Sequence, residues 1–542
     1  MGISRIPRCA PSIPDQDVDR PALRRRSARK FLLVGALLCS SGCTPWREYF
    51  RNGFKVGPNF CPPEAPVAST WIDAEDKRLQ PEIDTQPRWW MVFNDPQLDS
   101  LIETAYRQNL PLREASLRIL QARAQLGFAR GNFFPQTQTM TGDALREATS
   151  RNSANRSFVA TRYFDQFDYG FNLAWEIDFW GRLRRAIESA QENLNVSVKD
   201  YDAVLVTLLG DVASNYVQIR ILEQQIKFTR ANVELQAKTL VLAEARFNAG
   251  GTSDLDVEQA RTLLAQTKAQ IPALEISLRQ ANNQLCILMG MPPEDLKSRL
   301  GSGEIPVAPA GVAAGIPLDL LRRRPDIQEA EHAAAAQSAQ IGIAQAEFYP
   351  HISLIGTLDY SSQSLSTLLT PGAFQALVGP SYTWNILNYG RILNNVKAQD
   401  ALFQQLVVAY QQKVLTAAAE VENGLVTFVK SHQQTEWQTE AVDAAKKAVD
   451  LALVQYREGR VDFNRVSLLQ QNLVQQQNLL AQARGQIATG LVNVYRALGG
   501  GWEIRLESDG GPGDPDVVTT FAPIVQSMEV VPVPVETPVD EK

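Results

Sequence analysis

Between Tyr169 and Phe179 the side chains alternate in character. Phe171, Leu173, Trp175, Ile177 and Phe179 fall on one side, and Gly170, Asn172, Ala174, Glu176 and Asp178 on the other. A period of two predicts a strand with one apolar and one polar face. A half-buried strand in a soluble sandwich would look the same, but about 9–11 residues is also what a strand needs to cross a bilayer with its apolar face outward. The pattern returns downstream, where Pro350, Ile352, Leu354, Leu358 and Tyr360 alternate with His351, Ser353, Thr357 and Asp359. Each region predicts two strands around a polar loop, near 147–163 and 361–375. The first strand of the first pair, QTQTMTG after Pro135, carries the weakest signal.

These regions belong to a larger duplication. AQLGFARGNFFP from Ala124 recurs as AQIGIAQAEFYP from Ala339, an offset of 215. WEIDFWGR from Trp175 returns as WNILNYGR from Trp384, and Phe247, Gly250 and Val257 match Tyr456, Gly459 and Val466, all at an offset of 209. A fixed long period marks repeated architecture rather than two unlike domains. Each copy also holds 67 residues free of proline, Arg182 to Asn248 and Arg391 to Arg457. As helix, each would extend about 100 Å. Apolar residues step by threes and fours through Leu194, Val198, Tyr201, Leu205, Leu208 and Val212, and again through Phe403, Val407, Tyr410, Val414, Ala417 and Val421. Such seams predict coiled-coil packing. Short glycine turns end the long helices, and shorter helices return from them, with Ser253 or Asp254 as the expected N-cap of the first.

The expected organisation is a signal segment at 1–42, an extended arm at 43–88 and a first repeat at 89–291. That repeat contains a helix, a hairpin at about 133–180 and a helical pair at about 182–289. A Pro/Gly linker at 292–317 leads to a second repeat at 318–502, with a hairpin at about 348–388 and a helical pair at about 391–499. An acidic, disordered tail is expected from 503 to 542.

The address lies at the start. Arg24, Arg25, Arg26, Arg29 and Lys30 precede the short apolar run Phe31 to Cys39, an export signal rather than a membrane span. It runs into SSGC, so Cys43 resembles the acylated cysteine of a lipoprotein box, although Ser40 stands where an apolar residue is usual. Ordinary cleavage with an unmodified Cys43 is the alternative. Two acyl chains would anchor the chain firmly, and Thr44 fits passage to the outer membrane. Without residues 1–42 there remain 45 basic and 56 acidic side chains, a net charge of −11. With no basic block, that charge disfavours nucleic acid as a partner.

Catalytic signatures are missing: no HExxH, Walker loop, GxGxxG, CxxC or GxSxG is present. The three histidines, His332, His351 and His432, are far apart, so structural roles are expected and neither a metal nor a cofactor is implied. The chain is read as a non-enzyme. Four membrane strands cannot close a barrel, and an open edge in lipid leaves backbone groups unpaired at several kcal/mol each. Several chains must then share one barrel, from which long helices project.

At this point the chain resembles a known family. WWMVFNDPQLDSLIETAYRQNLPLREA from Trp89, WEIDFWGRLRRA from Trp175, LLRRRPDIQEAE from Leu320, the FFP and FYP pairs and the lipobox are similar to the outer-membrane factors, TolC-like lipoprotein channels of tripartite RND efflux systems, of the NodT type. The resemblance covers about residues 55–502. It implies a homotrimer with a twelve-stranded barrel, four strands per chain, continued by a helical coiled-coil periplasmic tunnel. It further implies a passive duct that exports small toxic compounds received from an inner-membrane RND transporter through a periplasmic membrane-fusion adaptor. A type I protein-secretion duct of the same fold and a lipid-anchored coiled-coil scaffold are the alternatives, and ion conductance separates a channel from a scaffold.

Site residues follow. Phe171, Leu173, Trp175, Ile177 and Phe179 are expected to face outer-membrane lipid, and Asn172, Glu176 and Asp178 the lumen. The glycine turns require nothing beyond helix capping, but the resemblance makes them adaptor-docking tips: Gly250, Gly251, Thr252 and Ser253 in one copy, Gly459, Arg460 and Val461 in the other. Related channels close an iris at these tips with Tyr/Arg-to-Asp contacts, and Tyr456 and Arg457 match the donor side. Gln470 and Gln471 stand where an acceptor aspartate is expected, which leaves Asp254, Asp256 or Asp462 as gate candidates. Solvated charges at exposed helix ends are the plainer reading of the same residues.

Overall fold

The computed structural model describes residues 46–80, 87–150, 152, 161–313, 315–319 and 323–507. The signal segment, Cys43 and the tail beyond 507 lie outside the described residues. The arm is not purely extended: it holds a helix, α1 (Trp46–Arg51), and a two-residue strand, β1 (Leu79–Gln80). Helix α2 (Pro96–Gln108) begins where Asp95 accepts hydrogen bonds from the Gln97 and Leu98 amides at 3.0 and 3.4 Å and Pro96 presets the first turn. Asn109 interrupts it, and α3 (Leu110–Gly131) follows.

The rest of the chain repeats in element lengths. After α3 come β2 (Thr137–Ala148), β3 (Tyr163–Ile177), α4 (Arg182–Asn248) and α5 (Asp254–Leu288). A linker carrying the short α6 (Lys297–Leu300) and β4 (Val312–Ala313) leads to α7 (Pro325–Ala346), β5 (His351–Ser362), β6 (Phe374–Thr383), α8 (Arg391–Arg457) and α9 (Phe463–Ala497), with a last turn α10 (Ile504–Glu507). α3 and α7 each have 22 residues, α4 and α8 each 67, and α5 and α9 each 35. The second hairpin stops at Thr383, so Trp384 and Ile386 lie beyond the strand rather than on it.

Two compact units divide these elements. The first takes residues up to Ser69, Leu110–Val204 and Pro317–Ala419. Its sheet has the order β2-β3-β5-β6, antiparallel throughout, and the β3–β5 pairing joins the two copies. Among the described residues β2 and β6 each pair on one edge only.

The second unit takes Thr70–Asn109, Leu205–Ile316 and the chain from Glu420 onward. Here the seam residues Leu205, Leu208, Val212 and Val421 are buried. The arm and the linker meet in this unit as a small parallel pair, β1 with β4. Beside α2, the Tyr216 hydroxyl donates to Asp95 at 2.6 Å, and the buried Arg220 donates to that hydroxyl at 3.1 Å and to the Leu300 carbonyl at 2.8 Å. A buried guanidinium is tolerable only with its donors satisfied in this way. Cys286 is buried and carries a free thiol.

Among the described residues no helix is long and apolar enough to cross a membrane. The candidate spanning segments are the four strands.

Candidate functional site

Both long helices end in the same device. Gly250 and Gly459 take positive φ, 72° and 76°, and the amides that follow return to the last turn: Gly251 N–H to the Arg246 carbonyl at 2.8 Å, Arg460 N–H to the Gln455 carbonyl at 2.9 Å. Glycine suits this left-handed position after a helix because it carries no Cβ. Gly250, Gly251, Ser253, Gly459 and Arg460 are exposed, and Thr252 and Val461 half-buried.

Behind the turns the helix ends pack through one apolar cluster: Ala243 from α4, Val257 and Ala260 from α5, Ala452 and Tyr456 from α8, and Phe463 and Val466 from α9. Tyr456 is buried at 1% exposure and meets Phe463 edge to face at 5.6 Å. Burial pushes its phenol up; Thr252 and Arg246 oppose the shift and Asp256 adds to it.

The cation that meets Tyr456 is Arg246, not Arg457. The Arg246 guanidinium lies 4.5 Å from the Tyr456 ring centroid, donates to the Tyr456 carbonyl and donates to the Gly251 carbonyl at 2.9 Å. Arg457 is exposed on α8, and within one chain it is Arg246 that reaches Tyr456. The helical rotation of about 100° per residue sends neighbours 456 and 457 to different faces. Asp256 accepts from the Thr252 hydroxyl, close to Tyr456. Asp462 is committed elsewhere: it caps α9, accepting from the Arg465 amide at 3.1 Å. Asp254 is exposed in the first turn of α5, where its charge complements the helix dipole. Gln470 is buried and donates to Thr239 at 2.9 Å, so an amide ties α9 to α4 where an acidic acceptor was expected. Between α5 and α9 an amide-lined groove of about 300 Å³ exposes Gln266, Gln270, Gln471 and Gln475.

The sheet has two unlike faces. In an antiparallel ladder, directly paired residues share a face. Phe171 pairs with Met140 and Leu358, Trp175 with Leu354, Ile177 with Ile352, and Ile352 with Tyr382. The opposite face sets Asn172 between Thr139 and Thr357, and Glu176 beside Ser353. Phe179 does not belong to this row, because β3 ends at Ile177. The cause is Asp178, whose carboxylate accepts from the amides of Leu183 at 2.9 Å and Arg184 at 3.0 Å and so caps α4 instead of facing a lumen. Phe179 packs on Trp180 at 4.8 Å. At the end of β3 and the start of β5, Arg182 donates to Glu176 at 2.6 and 3.0 Å, and His351 contacts the same carboxylate at 3.2 Å. His332 pairs with Glu192 at 2.7 Å and His432 packs edge-on against Phe428. Among the described residues no three of His, Cys, Asp and Glu gather as metal ligands.

A duplicated chain with a four-stranded two-faced sheet and paired long helices has known relatives. A family model described as outer membrane efflux protein matches residues 101–291 and 316–500. The chain belongs to the outer membrane efflux protein family. It is 32% identical over 422 residues to the pyoverdine export outer membrane protein OpmQ of Pseudomonas putida, covering 77% of this chain and 88% of that protein. It is 29% identical over 479 residues to the probable outer membrane lipoprotein SilC of Salmonella typhimurium, covering 87% and 99%. Its fold is similar to that of the outer-membrane channel OprN, with a TM-score of 0.77, 30% identity and coverage of 83% of this chain and 99% of that one. As an outer membrane efflux protein, the chain resides in the outer membrane and is the outer-membrane component of a tripartite efflux pump. The family is one of channels that work with adaptors and inner-membrane pumps.

Proposed function

We propose that three copies of the chain close a twelve-stranded barrel, with the apolar sheet face toward lipid, and that their long helices form a periplasmic tunnel. The observation that carries this reading is the sheet itself: four strands, one apolar face, and open outer edges on β2 and β6. In lipid those edges must pair, and pairing β2 of one copy with β6 of the next would close the sheet without an open edge. The duct is passive and non-enzymatic. It exports small toxic compounds handed over by an inner-membrane RND transporter through a periplasmic adaptor. Acylation of Cys43 adds an anchor to the barrel.

The tips serve two roles in this proposal. Gly250, Gly251, Thr252 and Ser253, with Gly459, Arg460 and Val461, present the exposed turns on which the adaptor docks. Arg246 holds the two tips of one chain together through Tyr456 and Gly251, and opening requires the α8–α9 tip to leave the α4–α5 tip. Asp256 and Thr252 sit against the same tyrosine and transmit docking at the turn to that contact. Native mass measurement of the detergent-solubilised protein tests the assembly: a mass of three chains is expected, and a single chain or a pair contradicts it.

A further inference from the structure

α4 carries a polar seam where a coiled coil ordinarily has an apolar one. Gln225, Thr229, Asn232, Gln236 and Thr239 follow one another by fours and threes, and each is buried, between 0% and 6% exposed. That spacing belongs to the packed seam of a coiled coil, and at 1.5 Å per residue it runs for about 21 Å. The seam is apolar on either side of this stretch, with Ile221 and Leu222 before it and Ala243 after it. Duplication does not account for the polarity. At the offset of 209, Asn232, Gln236 and Thr239 match Ala441, Ala445 and Ala448.

The partner is α9, running antiparallel. Gln470 donates to the Thr239 hydroxyl at 2.9 Å, and Asn232 donates to the Gln477 side chain at 2.6 Å. The Thr229 and Thr239 hydroxyls donate within their own helix, to the carbonyls of Gln225 at 2.8 Å and Leu235 at 2.9 Å. Gln236 is the exception. It is 2% exposed, and neither polar atom of its amide has a hydrogen-bond partner among the described residues. The side-chain oxygen of the buried Gln470 has none either. An amide in this state has given up water without a replacement, which destabilises the packed seam. Beyond the polar stretch the helices are clamped: Gly485 of α9 lies so close to Ile221 that a Cβ would overlap its side chain.

We propose that Gln236 biases the tips toward opening: its unpaired amide weakens the closed α4–α9 seam and regains hydrogen bonds from water when the two helices part. This rests on the reading that the duct opens by separating the α8–α9 tip from the α4–α5 tip. Gln236 and Arg246 lie ten residues apart on α4, about 15 Å, and act on that contact in opposite senses. Arg246 ties the tips together, and Gln236 loosens the seam behind them. The clamp at Gly485 and Ile221 confines the parting to the stretch that carries the amides. Because Gln236 is buried within its own chain, a neighbouring copy does not supply the missing partner.

The test compares Gln236→Met and Gln236→Glu with wild type in the full-length protein, by urea denaturation followed through helix content and by open probability in a planar bilayer. Methionine keeps the length of the side chain and removes the unpaired amide. Its urea midpoint should rise and its open probability fall, by about tenfold, the effect of one orphaned amide. Glutamate demands water more strongly, so the midpoint should fall and the open probability rise. A change of open probability in the same direction in both variants assigns Gln236 to packing and overturns the inference. A lower midpoint, or no change in either readout, in Gln236→Met overturns it as well and leaves the channel standing. No conductance from any of the three proteins, with insertion verified, refutes the channel reading and the inference with it.

Discussion

Arg246 stacks its guanidinium on the ring of Tyr456, 4.5 Å from the centroid, while donating to the carbonyl of the same residue from the neighbouring helical pair. One side chain thus ties the tip of the first copy to the tip of the second. A cation–π contact and charged-donor hydrogen bonds at a half-exposed site contribute on the order of 2–3 kcal/mol together. If the tunnel opens by parting these tips, that energy sets how often it opens.

Arg246→Ala should therefore raise single-channel conductance or open probability and sensitise cells to large antibiotics. Arg457→Ala should change neither, because the cation on Tyr456 is Arg246. Equal conductance in wild type and Arg246→Ala, with a rise in Arg457→Ala, would reverse the assignment.

The facing of β3 gives a second test. Leu173 lies in the row of Phe171, Trp175 and Ile177, whereas Asn172 lies between Thr139 and Thr357. A lysine on the lipid face near the midplane costs about 2–4 kcal/mol, and one on the lumen face costs little. Leu173→Lys should lower the yield of assembled protein in the outer membrane, and Asn172→Lys should assemble normally. The opposite ranking inverts the sheet.

Tyr216 sets an alkaline limit on the second unit. Burial, and then its hydrogen bond to Asp95, push its phenol from 10.0 to about 12. Between pH 10 and about 12 the unfolded chain has lost this proton and the folded one keeps it, so stability falls as pH rises through that window. Denaturant midpoints of wild type should converge on those of Tyr216→Phe across the same range. A constant gap between them would assign the fall to other groups.

Acylation at Cys43 should aid insertion rather than create it, since a closed barrel buries far more apolar area than two acyl chains. Cys43→Ser should lose the lipid mass in mass spectrometry and still yield assembled protein in the outer membrane. Palmitate labelling of the variant at wild-type level would refute the site.

Sequence and structure agree best where a local pattern carries the information. Period two between Tyr169 and Ile177 is visible because lipid or core on one face and water on the other act at every residue. The same alternation continues on paper to Phe179, but Asp178 spends its carboxylate on the amides of Leu183 and Arg184 and ends the strand. A capping aspartate just before a long helix was the signal for that boundary. Arg246 was not legible from local pattern, because its partner stands 210 residues away and an arginine at a helix end is ordinarily solvated. One cue existed: at the offset of 209 the repeat sets Gln455 against Arg246, so only the first copy has a cation there. The acidic residues near the tip are visible as charges, but that Asp462 caps α9 and Asp254 lies exposed in a first turn shows only in the fold. The helix in the arm is not legible in the sequence, because Trp46–Arg51 is too short to show a period.

The most direct test of a gated duct is electrical. The purified wild-type protein, inserted into a planar lipid bilayer, should give discrete conductance steps that are small with the tips shut and larger in Arg246→Ala. A bilayer that stays at baseline under both proteins, when insertion is verified, would contradict a channel altogether.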